Sequence, residues 1–311
     1  MKKLVVLLSI FISLSSCKEK VDQPEENKSE KVLSSNENLA KLFEEYHEGV
    51  LKMDPISATR SGDTRYNDRF VNVLNDSTKE QMKLFYSSNL EKVSHFADED
   101  LNENDLLSKR ILEWECTQNS KRLNLPDYTP IDQMWSVNLV MGQFASGSSA
   151  QPFQTVKDYE NWLKRVDEFL VWLTAAQEKM MAGMEKGYVL PKSLVKKVIP
   201  QMEAMASDDV ENHLYYSPIK IFPESFTEEE KKSLKNEYAA MVREKIVPAH
   251  KQMVEFLKNT YLPAARETSG FGDLKDGDQI YQTLITYFTT TNMSASEIHE
   301  LGLKEVARIS A

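Results

Sequence analysis

The stretch YENWLKRVDEFLVWLTAAQEKMMAGMEKG, residues 159–187, decides the fold class of this chain. Just before it, Thr155 and Asp158 have the spacing of a helix N-terminal capping box. At its end, Gly187 is a residue type that commonly terminates helices. The stretch therefore predicts one long helix.

Helical periodicity continues on both sides of this stretch, with apolar residues at i, i+3, i+4 and i+7. Short apolar runs such as RFVNVL do not continue into strands, so the sequence predicts an all-α fold. A small-residue loop is predicted at 141–153, and DPISATRSGD is expected to break the first helix through Pro55 and Gly62. Further helices are predicted near 39–51, over 103–123, over 227–260 and over 280–288. Three more are predicted by their starts: one at a capping box of Ser77 and Glu80, one after Pro191, and one at Ser294. The helix over 227–260 is expected to kink or break at Pro248.

The N-terminal residues have the pattern of an export signal. Lys2 and Lys3 precede an apolar run that is too short to span a bilayer, which takes about 20 apolar residues. The run ends in Leu14-Ser15-Ser16-Cys17, which resembles the lipobox of bacterial lipoproteins. That pattern predicts a signal peptide over 1–16, cleavage between Ser16 and Cys17, and lipidation of the Cys17 thiol.

Three segments follow from this interpretation. Residues 1–16 are the signal peptide, residues 17–35 form a charged, disordered tether, and residues 36–311 form a helical domain. The lipid would anchor the protein to a membrane in the bacterial cell envelope, outside the cytoplasm. The net charge of −10 argues against a nucleic-acid partner, because such proteins usually carry a basic excess.

The chain lacks the residue pattern of a helical zinc hydrolase, H-E-x-x-H, which places two imidazoles one turn apart. His47-Glu48 and His299-Glu300 each begin such a motif, but leucine occupies the position of the second histidine. We therefore expect no metal ligands, no catalytic residues and no cofactor in this chain. Cys116 lies on a helical pattern and is predicted to be a buried, inert thiol.

Four segments together resemble the bacterial protein family of unknown function 885 (DUF885), over nearly all of the chain from about residue 37. They are DPISATRSGDTRYNDRF (54–70), FQTVKDYENWLKRVDEF (153–169), MEKGYVLPKSLVKKVIPQM (184–202) and DGDQIYQTLITYFTTTNMSASEIHELGLKEVARI (276–309).

The resemblance implies an all-α fold similar to that of helical zinc metallopeptidases. Family proteins are about twice as long, and their zinc motif lies in the missing C-terminal half. The chain is then the non-catalytic N-terminal half of a zinc peptidase-like hydrolase acting on peptides, and zinc is expected only in the full-length protein. Tyr281, Tyr287 and Thr290 are candidate wall residues of its substrate cleft. The alternative is a complete helical surface lipoprotein that binds a peptide or a glycan without catalysis.

Overall fold

Helices make up the regular structure of residues 34–311, which are the residues described by this computed structural model. Within that range the only strand-like pairing is an isolated bridge between Pro191 and Arg266, so the predicted all-α class is confirmed. The predicted signal peptide, Cys17 and most of the predicted tether lie outside the described residues. The helices are α1 (Glu37–Met53), α2 (Pro55–Arg60), α3 (Asp76–Ser94), α4 (Glu103–Arg122), α5 (Val137–Ala145), α6 (Val156–Lys186), α7 (Lys192–Met205), α8 (Glu228–Met241), α9 (Val247–Phe256), α10 (Leu262–Ala264), α11 (Gly277–Thr289) and α12 (Ala295–Ser310).

Helix α6 runs through the main core as the sequence predicts. Thr155 and Asp158 form the capping box at its start, and Gly187 ends it in the left-handed region at φ 82°. Its inward face is buried against α5, α7, α8 and α9. The fully buried side chains on this face include Trp162, Val166, Phe169, Ala176 and Met180.

Helices α1, α3 and α4 enclose a second, smaller core. Leu39, Tyr46, Val93 and Leu112 are buried there, beside the predicted inert thiol of Cys116. Cys116 is fully buried, and this burial, with a smaller contribution from the Glu115 carboxylate, raises the pKa of its thiol to about 12. Residues of this smaller core support one wall of the site described below.

Arg165 ties the α2 region to α6 from within the core. Its side chain is fully buried, and Nε donates to the carbonyl of Arg69 at 2.9 Å. Nη2 donates to the hydroxyl of Thr59 at 2.9 Å and also to the carbonyls of Pro55 and Tyr66. Buried charge is tolerated when it is hydrogen-bonded, and each of the three guanidinium nitrogens makes at least one hydrogen bond, so this group fixes the chain around α2 against α6.

Helices α8, α9 and α10 form one continuous helical segment in which two π turns occur, at Val242–Ile246 and Leu257–Tyr261. One line of buried residues along it recurs at close to every fourth position, a spacing that an α-helix of 3.6 residues per turn would gradually rotate out of the core. Each π turn inserts an extra residue and restores the register of this line. The line comprises Leu234, Tyr238, Val242, Ile246, His250, Met253, Leu257 and Tyr261, and Met241, Val247 and Phe256 are buried beside it.

A proline follows each π turn. Pro248 lies in the first turn of α9 and Pro263 in the first turn of α10. Proline has no N–H to donate to a carbonyl in the preceding turn, so the change in hydrogen-bond pattern there accommodates it. The predicted break at Pro248 is wrong, because the helical segment continues through a π turn that precedes the proline, and the kink stays a prediction.

The predicted break of the first helix at Pro55 and Gly62 is confirmed. Helix α1 ends at Met53, Pro55 starts the short helix α2 with the Asp54 side chain as its N-cap, and Gly62 follows α2 at φ 89°.

Two other local predictions are wrong. The N-cap of α3 is Asn75, whose side chain accepts from the N–H groups of Ser77 and Thr78, so Ser77 is not the cap. The first part of the predicted loop at 141–153 is helix α5, which buries Met141 and Phe144 in the core. In residues 34–311 no helix is both long and apolar enough to cross a bilayer.

Candidate functional site

A polar cleft of about 1050 Å³ opens between α3, the chain segment 123–128 and the C-terminal half of α6. It has more than twice the volume of the cleft beside the loop at 146–148, which is about 470 Å³. A volume near 1000 Å³ is at the upper end for a small-ligand site. We call it the lysine cleft, because its lining includes Lys79, Lys83, Lys179, Lys186 and Lys275.

The floor of the lysine cleft is one face of α6. Ala175, Glu178, Lys179, Ala182 and Lys186 line the cleft, and their spacing of three, four, seven and eleven residues places them on one side of the helix. The two alanines have small side chains, which leave depth between the longer ones. The opposite side of α6 lies in the main core, so the floor is held rigidly.

Two lysines from different helices meet at one carboxylate in the cleft. Nζ of Lys79 lies 2.8 Å from Oδ2 of Asp127, and Nζ of Lys179 lies 3.4 Å from the same atom. Lys179 also pairs with Asp76 at 3.2 Å. Partial burial disfavours the charge on Lys179, but the two carboxylates outweigh it and raise its pKa. These ion pairs join α3, the 123–128 segment and α6.

An aromatic pair forms the end wall of the cleft. The rings of Tyr128 and Tyr188 stack with centroids 5.3 Å apart. Lys186 donates to the hydroxyl of Tyr128, and its ammonium lies 4.7 Å from the centre of the Tyr128 ring. The close approach of Tyr128 and Tyr188 to α6 depends on Gly183, because a β-carbon there would lie 2.7 Å from Cβ of Tyr128 and 2.6 Å from the carbonyl oxygen of Tyr188.

The electrostatic character of the cleft differs from that of the whole chain. Its lining contains five lysines and three carboxylates (Asp76, Asp127 and Glu178), whereas the whole chain carries a net charge of −10. Asp127 and Asp76 already pair with Lys79 and Lys179. The lining therefore carries a net charge of +2, which favours anions over cations at this cleft.

The predicted wall residues lie elsewhere on α11. Tyr281 is half exposed and stacks on Phe271 at 6.0 Å. Tyr287 stacks on Trp114 of α4 at 6.1 Å, and the guanidinium of Arg122 lies 4.6 Å from its ring centre. Thr290 ends α11 in the left-handed region at φ 57°. None of the three lines the lysine cleft, and their role as wall residues of a larger site stays a prediction.

The histidines do not assemble a zinc site within residues 34–311. His47, His95 and His299 are exposed on separate helices or at a helix end. His213 is buried, with Nε2 bonded to the carbonyl of Met205 at 3.1 Å, and His250 is buried with Nδ1 bonded to the carbonyl of Ile246 at 2.8 Å. In this range no three side chains of the ligand types His, Cys, Asp and Glu converge. The described residues therefore do not fit the zinc that the family resemblance implies.

The sequence does not identify the cleft lysines as site residues, and the reason is physical. Each is a single lysine on a helix or a turn, and taken alone it has the pattern of a solvent-facing position. Only the packing of α3 on the 123–128 segment and α6 brings them together. A signal was present in the repeat of Lys179 and Lys186 at seven residues, beside Ala175 and Ala182 at the same interval.

Comparison with known proteins identifies a family and a fold. The model of the family "Bacterial protein of unknown function (DUF885)" matches residues 55–311. The fold matches the crystal structure of a candidate lipoprotein from Colwellia psychrerythraea, with a TM-score of 0.73 and 21% identity over 90% of this chain and 50% of that one. It also matches a candidate lipoprotein of unknown function from Shewanella oneidensis, with a TM-score of 0.60 and 14% identity over 87% of this chain and 46% of that one.

This chain thus spans about half the length of the two solved structures that it matches. Comparison with curated proteins gives no match.

Proposed function

The chain belongs to the bacterial DUF885 family, and from this premise we propose that it is the N-terminal, non-catalytic half of a zinc peptidase-like hydrolase. In this proposal the protein acts on peptides outside the cytoplasm and is held at a membrane of the cell envelope by a lipid on Cys17. The proposal places the metal and the hydrolytic residues in polypeptide beyond this chain.

The observation that carries the proposal is the exposed apolar side of α12. Not one of its residues is buried, yet it is amphipathic and has a complete capping box formed by Ser294 and Glu297. Four of its large apolar side chains are between about half and three-quarters exposed: Leu301, Leu303, Val306 and Ile309. An amphipathic helix normally buries its apolar side against another element.

The comparisons support a covering domain. The two solved structures continue for about as many residues again as they share with this chain. A second half of that size would supply the surface on which α12 packs. Both are described as candidate lipoproteins, which supports the lipid anchor and the envelope location.

The lysine cleft favours a second candidate function. A helical surface lipoprotein that binds a peptide or a glycan without catalysis needs a ligand site within this chain, and the lysine cleft has the volume for one. The two candidates differ in whether hydrolysis depends on additional polypeptide.

The test compares the purified 311-residue chain with a version extended by the downstream coding sequence. Zinc content and hydrolysis of a peptide library are measured for both. The proposal expects stoichiometric zinc and turnover only in the extended protein. Zinc or turnover in the 311-residue chain would overturn it, and an extended protein without either would favour the binding lipoprotein.

The role of α12 is tested in the same extended protein. Val306→Glu combined with Ile309→Glu is expected to abolish turnover and to lower the melting temperature by several degrees, because charges would enter the interface. Lys304→Glu is the matched control, since it changes the net charge equally but lies on another side of α12. Equal effects of the two variants would refute docking through the apolar side.

A further inference from the structure

Three charged groups at the rim of the lysine cleft are available to a ligand. Lys186 and Lys275 are exposed and lie within 4 Å of no carboxylate in residues 34–311. Lys83 pairs with Glu80 at 2.9 Å, one turn earlier on α3. An exposed pair of this kind contributes at most about 0.5 kcal/mol, so a ligand anion competes with it readily.

The positive groups are spread along the cleft. Lys83 lies on α3, Lys186 lies at the C-terminal end of α6, and Lys275 lies in the turn before α11. The three ammonium groups that are available to a ligand therefore come from three separate elements. A ligand that pairs with all of them carries several negative groups on an extended frame.

The rest of the lining suits a peptide. Leu74, Leu125 and Pro126 give apolar surface, and Tyr128 and Tyr188 add aromatic surface. Asp127 and Glu178 are carboxylates that can accept hydrogen bonds from peptide N–H groups. Side chains and backbone of an extended peptide use all three kinds of surface, whereas a compact polyphosphate uses only the lysines.

We propose that the lysine cleft binds an acidic peptide segment, whose carboxylates pair with Lys83, Lys186 and Lys275. The inference deepens the proposed function by naming the charge class of the peptide, and rests on it for the choice of a peptide over another polyanion. Lysine ammonium groups bind carboxylates as point charges, so binding depends on charge and spacing rather than on a fixed side chain.

The test is isothermal titration calorimetry on the full chain in nonionic detergent at 0.15 M salt. The probes are an end-capped peptide of five glutamates and the matching peptide of five glutamines. We expect the glutamate peptide to bind at least tenfold more tightly, and its affinity to fall as salt is raised. Equal binding of the two peptides, or no binding at 1 mM peptide, would overturn the inference.

The matched variants separate the cleft from general charge. Replacing Lys83, Lys186 and Lys275 by Gln is expected to weaken the glutamate peptide at least tenfold. The control replaces three lysines outside the cleft by Gln, with the same change in charge. They are Lys231, which pairs with Glu228 at 2.8 Å, Lys245, which pairs with Asp167 at 2.6 Å, and Lys251, which pairs with Asp208 at 2.6 Å. An equal loss in the control would show that net charge alone drives binding and would refute the site.

Two further measurements complete the test. Ala182→Glu places a carboxylate on the cleft floor and is also expected to weaken binding of the glutamate peptide tenfold. It serves as a second variant if the triple lysine-to-glutamine variant fails to fold. Inorganic tripolyphosphate is titrated as a competitor, and tighter binding than the glutamate peptide would overturn the peptide assignment. Because binding is measured without hydrolysis, loss of the cleft site leaves the hydrolase proposal intact, and absence of zinc or turnover leaves the cleft site intact.

Discussion

Nη1 of Arg165 donates a hydrogen bond of 2.7 Å to Oε1 of Gln151, and both side chains are at least 99% buried. Burial lowers the pKa of the guanidinium to about 10, partly offset by the more distant Asp68 and Glu168 carboxylates. Arg165 is therefore still charged at neutral pH, and neutral oxygens accept its hydrogen bonds. Gln151 joins the 146–153 loop to the group of backbone carbonyls around α2.

Replacing Arg165 by Met should lower the free energy of unfolding by about 3–5 kcal/mol, because Oε1 of Gln151 and the carbonyl of Arg69 would lose their donor. The carbonyls of Pro55 and Tyr66 would keep their bonds from the Thr59 hydroxyl and the Arg69 N–H. Urea unfolding followed by circular dichroism measures the change. Arg243→Met, at an exposed position, is the control and should cost less than about 0.5 kcal/mol. A loss at Arg165 as small as that of the control would contradict the role given to the guanidinium.

Acidification should destabilise the fold through His250. Burial lowers the pKa of its imidazole to about 4, from an ordinary value of about 6.5. Between pH 6.5 and pH 4 the imidazole is protonated in the unfolded state but not in the folded state. The contribution of His250 to the free energy of unfolding is therefore fully present above pH 6.5 and is lost as the pH falls toward 4. The loss over this window should be about 3 kcal/mol, and His213, whose pKa is also lowered by burial, adds to it in the same direction.

The measurement is the free energy of unfolding at pH 7, 6, 5 and 4.5 for the wild type and His250→Asn. Asparagine keeps a donor near the position of Nδ1, which bonds to the Ile246 carbonyl, but does not titrate. Its stability should change much less across the window. An unchanged pH slope in the variant would assign the effect to other groups.

Thr290→Gly should stabilise the protein by about 0.5–1 kcal/mol. Threonine is β-branched, and at φ 57° it is in a region that costs non-glycine residues about 1–2 kcal/mol. Glycine removes that strain, although it also adds freedom to the unfolded chain. Thr283→Gly, in the interior of α11, is the control and should destabilise by about 0.3–0.5 kcal/mol, the difference between the helix propensities of threonine and glycine. Destabilisation at both positions, measured by thermal unfolding, would refute the strain.

The two cysteines give a count of free thiols that tests the anchor. Cys116 is fully buried with its pKa raised to about 12, so it should react with a disulfide reagent at pH 8 at least a hundredfold more slowly than in urea. In urea, one thiol per chain is expected if Cys17 carries a lipid. Two reactive thiols in protein purified from its native membrane would contradict lipidation of Cys17.

The sequence predicts best where the signal is local. The capping boxes at Thr155, Thr227 and Ser294 each mark the start of a helix in the structure. Ser77 misleads because Asn75, two residues earlier, is an equally good cap and supplies the hydrogen bonds. The sequence pattern fits both residues as caps, and only the hydrogen bonds in the structure distinguish Asn75 from Ser77.

Tertiary packing determines what the sequence does not predict. The π turns depend on which side of a long helix meets α6 and α7, and the lysine cleft depends on three segments distant in sequence. Tyr287 illustrates the same limit, because its packing partners Trp114 and Arg122 lie on α4. A resemblance in sequence therefore identified the family but not the neighbours of its aromatic residues.

The π turn at 242–246 holds one residue more than an α-helical turn needs. Deleting one residue within it would return this turn to α-helical geometry and leave the downstream part of the segment facing the core as it does now. Deleting one residue within α9 would instead rotate everything downstream by about 100°, and Leu257 and Tyr261 would turn away from the core together. The segment should accordingly accept a single-codon deletion at 242–246 more readily than one a turn later.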